Sequence, residues 1–141
     1  MIFTIGYEGY SIQEFVSRLK SMNVSVLYDV RWLPLSRKEG FSKSSLKKYL
    51  ENAGIEYQHL KELGTPKELR EKLYSTGDYE TFFSEYASIA AKHQELIQKI
   101  VDSNHTKNVC IMCFEHDPSK CHRSVVSRII QRTYGQETAD I

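Results

Sequence analysis

Hydrophobic positions along the 141-residue chain switch between two periods. "IFTI" (2–5) and "VSVLYDV" (24–30) are short, apolar and β-branched, and each precedes a stretch patterned at helical spacing. Ile12, Phe15, Val16, Leu19 and Met22 share one face behind Ser11. Glu14 stands three residues after that serine, the signature of a capping box. A second helix is predicted from about Ser42, with Leu46, Tyr49, Leu50 and Ala53 aligned and Gly54 as its stop. "IEYQHL" (55–60) reads as a third strand. Thr65 as cap, Pro66 at the first position and Glu68 at the third announce another helix.

The spacing of Phe82, Phe83, Tyr86, Ile89, His93, Leu96 and Ile100 predicts one long helix over 78–101. "NVCIMCF" (108–114) is the most apolar strand and is expected at the sheet's centre. The last helix brings Val125, Val126, Ile129 and Ile130 to the core and stops near Gly135. Strands interleaved with helices require crossover connections. The prediction is therefore a single α/β domain over 1–141, in three layers. Its central sheet is mostly parallel, with four or five strands flanked by helices.

Composition changes this picture little. The chain is 40% hydrophobic with a formal net charge of +1, so it reads as globular, without whole-molecule attraction to nucleic acid or membrane. Charge is uneven locally: "SRKEGFSKSSLKK" (36–48) carries five basic residues against one acid. Three cysteines, a start with no basic region or long apolar run, and no stretch resembling a membrane span lead to an expectation of free thiols in the cytoplasm.

In an open parallel sheet, ligands bind beyond the carboxyl ends of the strands. The unusual polar residues of this chain fall there: Glu8 after strand one, Asp29, Arg31 and Arg37 after strand two, and Glu115, Cys121, His122 and Arg123 after "NVCIMCF". Gly6 permits close backbone approach in a loop that wraps a ligand. Asp29 needs a partner such as Arg31, and an internal ion pair that merely fixes the loop is the competing reading. Trp32 is a stacking platform or a core residue.

"CFEHDPSKCHRS" (113–124) admits three readings. Cys110 and Cys113 have C-x-x-C spacing, but on a strand they face opposite ways and cannot share an ion. A metal site would need Cys113, His116, Cys121 and His122, so no metal and no cofactor is expected. A reactive thiol fits better. Cys121 is placed near the start of the last helix, capped by Asp117 or Ser119, where amides and Lys120, His122 and Arg123 favour a thiolate. Glu115 and His122 would move protons, while Arg31, Arg37 and Arg123 would hold a small anionic or phosphate-bearing ligand. In the third reading Arg123 pairs with Glu115 and Cys121 is buried packing. A competing function class is a nucleic-acid or nucleotide-binding module that uses the basic 36–48 stretch.

Four blocks in order, "TIGYEG", "DVRWLPLSR" with "GFSKSSL", "GIEYQHLKELGTP" with Arg70 beyond it, and "CFEHDPSKCHRS", resemble the DUF488 family. Its signature positions fall on Gly6, Asp29, Arg31, Pro34, Ser36, Arg37, Phe41, Tyr57, Leu63, Gly64, Arg70, Cys113, Glu115, Cys121, His122 and Arg123. Many members carry histidine and serine after the first glycine, where this chain has Tyr7 and Glu8. The resemblance implies an α/β fold and one shared site but no established reaction. The D-V-R turn and the cysteine-to-"RS" loop also bear a looser likeness to rhodanese-type sulfurtransferases, which implies sulfur transfer as an alternative.

Overall fold

The computed structural model describes residues 1–141. Five strands, β1 (Ile2–Gly6), β2 (Val26–Asp29), β3 (Glu56–His59), β4 (Val109–Cys113) and β5 (Thr138–Asp140), form one sheet ordered β3-β2-β4-β1-β5. Every pairing is parallel. As the alternating pattern predicts, the domain is α/β. Strand β4 is buried at all five positions and sits at the centre.

The two faces of the sheet carry separate cores. Helices α1 (Ile12–Ser21) and α2 (Lys43–Asn52) cover one face, where Phe15, Leu19, Leu46 and Leu50 meet Ile5, Leu27, Cys110 and Met112. Helices α3 (Lys67–Thr76), α4 (Tyr79–Ala91), α5 (Gln94–Ser103) and α6 (Arg123–Tyr134) cover the other, around Tyr28, Ile111 and Cys113. Cys110 and Cys113 therefore do face opposite layers, as strand alternation requires. Burying a ring such as that of Phe15 contributes about 1.5–3 kcal/mol.

Local signals account for most boundaries. Ser11 accepts the Glu14 amide at 3.1 Å and the Glu14 carboxylate accepts the Ser11 amide at 3.0 Å, completing the capping box of α1. Gly54, at φ +77°, follows the end of α2. Three expectations change. Pro66, not Thr65, caps α3, and Thr65 is buried. The long helix over 78–101 is two helices, because the chain leaves helical geometry at His93 (φ −125°, ψ 39°). His93, expected on the inner face, is partly exposed there and lends its carbonyl to Leu96. Apolar spacing stays in phase through a bend of this kind, so periodicity alone does not reveal it. The last helix begins only at Arg123, after a short 3-10 turn over Pro118–Lys120 that Asp117 caps.

Because β2, β4 and β1 are neighbours, the loops leaving their carboxyl ends adjoin one another. Gly6 pairs with Cys113, and Asp29 with Met112. The β1 and β4 loops stay bonded beyond the sheet: Tyr7 and Glu8 amides donate to the carbonyls of Cys113 and Phe114 at 3.1 and 2.9 Å. No helix is long and apolar enough to cross a membrane.

Candidate functional site

At the carboxyl ends of these strands lies a cleft of about 230 Å³. Its walls include Tyr7 from the β1 loop, Arg31 and Trp32 from the β2 loop, Thr65, Arg70 and Tyr74 around α3, Cys113 at the end of β4, and Glu115, Lys120 and His122 from the segment after it. Of the sequence-predicted residues, Arg31, Glu115 and His122 line this space. Arg37 is exposed outside it, while Gly6, Glu8, Asp29, Cys121 and Arg123 stand around or behind it.

Asp29 has no exposure, and it accepts the Arg31 backbone amide, Nε and Nη2 at 3.1, 2.9 and 2.8 Å and the Tyr57 hydroxyl at 2.6 Å. It orients Arg31 rather than touching a ligand. Burial works against the Arg31 charge, but hydrogen bonds and charge from Asp29 outweigh it and raise its pKa. Arg31 Nη1 donates to the Phe41 carbonyl at 2.7 Å and to the Tyr7 hydroxyl at 3.4 Å. A guanidinium has five N–H donors, so one on Nη2 keeps no protein partner. The carbonyls of the same turn are pinned by two imidazoles, His59 Nε2 to Arg31 at 2.7 Å and His122 Nε2 to Val30 at 2.8 Å.

Arg123, expected to grip the ligand, is 1% exposed and faces inward. Its Nε donates to Thr4 Oγ1 at 3.3 Å, Nη1 to Cys113 Sγ at 2.9 Å and to the Glu115 carbonyl at 2.5 Å, and Nη2 to the His116 carbonyl at 3.1 Å. Asp140 of the edge strand adds an ion pair at 3.6 Å. The reason is the late helix start: at the first position of α6 this side chain lies under its own loop. Gly6 and Glu8 serve that loop too. A Cβ at residue 6 would run into the Glu115 carbonyl, and Glu8 accepts the His116 amide at 3.0 Å.

The sulfurs of Cys113 and Cys121 are paired as a disulfide, with Cα atoms 7.4 Å apart, and Cys110 is left free and buried. Three free thiols were expected, and the topology explains the difference. The loop after β4 turns back so that the start of α6 lies beside the strand's end. Only Cys113 of the pair lines the cleft. The Arg123 amide donates to Cys121 Sγ at 3.4 Å, and His122 Nδ1 lies 3.8 Å from that sulfur.

His122 is neutral, its pKa lowered to about 4 by burial, with the charges of Arg123 and Arg70 adding to the effect. Since Nε2–H is given to Val30, the Nδ1 lone pair faces Cys121. Burial pushes the Glu115 carboxyl above its ordinary range. One sulfur of each cysteine and a Glu115 oxygen lie within 4.8 Å of one another, the spacing of a cation site. Two of these three donors are closed on each other, which leaves Glu115 alone to ligate.

Arg70 is the residue that reasoning from composition and spacing missed; it entered only through the family resemblance. Its buried Nε is the one buried side-chain nitrogen or oxygen in the protein without a hydrogen-bond partner. A signal was present. Arg70, Leu73 and Tyr74 fall at i, i+3 and i+4 on α3, and all three line the cleft.

These features define a parallel α/β domain with a cationic cleft at its strand ends and one sulfur of a cysteine pair in the wall. The chain belongs to the family described as domain of unknown function DUF488, which it matches over residues 11–130. No curated protein and no solved structure matches it. None of these comparisons supports the likeness to rhodanese-type sulfurtransferases.

Proposed function

We propose that the protein is a thiol-dependent enzyme that binds a small anionic, phosphate-bearing substrate in this cleft. The observation that carries the proposal is Arg70: a cation at a cleft wall whose buried Nε lacks any protein acceptor. An unpaired buried donor costs about 1–3 kcal/mol, and an oxyanion would relieve that cost. Arg31, with its free Nη2 hydrogen, and Lys120 line the same cleft and add positive charge.

The cleft-facing sulfur, Cys113, is the nucleophile in this reading, where the sequence favoured Cys121. Arg123 Nη1 at 2.9 Å supports its thiolate once the pair is reduced by an external thiol. The thiolate attacks phosphorus and forms an S–P bond, while the P–O bond to the leaving group breaks and Glu115 protonates that oxygen. Water then attacks phosphorus, gives its proton to the Glu115 carboxylate, and releases Cys113 as thiolate. His122, by way of Cys121, positions the pair.

The test is binding of inorganic phosphate to reduced protein, followed by hydrolysis of an aryl phosphate. Arg70→Ala is expected to remove phosphate binding, and Cys113→Ser to remove turnover while phosphate still binds. Unchanged phosphate binding in Arg70→Ala overturns the site, and full activity in Cys113→Ser overturns the nucleophile.

One observation favours a second reading, a nucleic-acid surface. Arg37, Lys43, Lys47 and Lys48 are exposed on the loop and helix that follow Trp32. Salt-sensitive binding of an oligonucleotide that is lost on neutralising Lys43, Lys47 and Lys48, with Cys113→Ser harmless, would establish it.

A further inference from the structure

The protein exposes seven large hydrophobic side chains, and five of them, Leu33, Leu35, Tyr74, Tyr79 and Phe114, line this one cleft. Leu35 and Tyr74 are 65% and 76% exposed. Scattered exposed apolar residues are ordinary, whereas a cluster around a polar cavity marks a binding surface. They come from three separate segments: the β2 loop, the α3–α4 region and the loop after β4. A single local sequence accident does not explain their meeting.

Charge complementarity decides what the cleft fits. Its polar wall is cationic, with Arg31, Arg70 and Lys120 against the single carboxylate of Glu115, while its lip is apolar and largely aromatic. Inorganic phosphate would engage the wall and leave the lip wet. We infer that the ligand is an amphipathic anion: a phosphate-type head group held by Arg70 and Arg31, carried on a flat aromatic body that lies against Tyr74, Leu35 and Phe114. An aryl phosphate or a nucleotide has this chemistry. The inference rests on the anion site proposed above and adds the substrate's second half.

The structure supplies its own reporter, because Trp32 is the chain's one tryptophan and lines the cleft. Reduced protein is titrated with inorganic phosphate, with phenyl phosphate and with phenol, following Trp32 fluorescence, and calorimetry checks each affinity. Phenyl phosphate is expected to bind at least about tenfold more tightly than phosphate, the gain from burying one ring. Leu35→Ser with Tyr74→Ser, at positions too exposed to endanger folding, is expected to abolish most of that gain, bringing the ratio of the two affinities towards one. Equal affinities for the two anions overturn the inference while the anion site stands. Binding of neither anion overturns both. Concentration-dependent dimerisation that the same double variant removes also overturns it, since the lip would then serve a second copy of the chain.

Discussion

His122 supplies a pH test whose size follows from its surroundings. The ring is buried, packs edge-on against Tyr86 at 5.0 Å, and gives Nε2–H to the Val30 carbonyl at 2.8 Å. Its folded pKa is about 4 against an unfolded value of 6.5. A histidine depressed in this way binds fewer protons folded than unfolded below pH 6.5. Its contribution is therefore complete above pH 6.5 and declines as pH falls towards 4. Between pH 7.5 and 4.5 the difference amounts to about 2.5 kcal/mol, at about 1.36 kcal/mol per pKa unit. The assay is urea unfolding of the wild type and of His122→Asn across that range. Carboxylates titrate in both proteins and cancel in the comparison. The variant is expected to be less stable at pH 7.5, with its deficit shrinking by about that amount on acidification. Two stability curves that remain parallel from pH 7.5 to 4.5 would refute the reasoning.

Three further outcomes are expected. Gly6→Ala puts a methyl into the Glu115 carbonyl; a loss of about 1–3 kcal/mol is expected in urea unfolding, along with weaker phosphate binding as the β4 loop shifts. Asp29→Asn strips the buried Arg31 of its counter-charge and should cost about 3–5 kcal/mol, measured in the same way, with Tyr57→Phe losing nearer 1 kcal/mol. Alkylation of denatured, unreduced protein should add one label, at Cys110, and prior reduction should raise the count to three, read by mass spectrometry.

The architecture was legible because it rests on repeated local signals. Four apolar segments and the helical faces between them prescribe crossovers, and the strand-end rule then points to the edge where the cleft opens; the short edge strand β5 (Thr138–Asp140) has no apolar run and is not among them. The Ser11–Glu14 box and the buried β4 strand appear as expected. The break at His93 was not legible, since the core-facing residues of α4 and α5 keep one phase across it. The Cys113–Cys121 pairing was equally hidden. It depends on where α6 begins, which the 3-10 turn at 118–120 delays beyond the expected position.

The arginines show how residues that converge on one edge of the sheet differ in what they face. Sequence alone ranks Arg31, Arg37 and Arg123 by proximity to strand ends, and proximity does not distinguish a charge aimed at a ligand from one aimed at the protein. Burial makes that distinction. Arg31 and Arg123 are buried, so each must be matched internally, and each is: one by Asp29, the other by three carbonyl or hydroxyl oxygens, the Cys113 sulfur and Asp140. Arg37 is solvated. Arg70 alone sits between these regimes, a residue of the cleft wall whose Nε is buried and has no hydrogen-bond partner. A protein retains such a donor at a cost to stability, and a bound oxyanion is the partner that would offset it. Replacing Arg70 with leucine should therefore stabilise the free protein, visible as a higher urea midpoint, while it removes phosphate binding. A variant that loses stability instead would mean that Arg70 already has a partner, and the observation that carries the anion site would be gone.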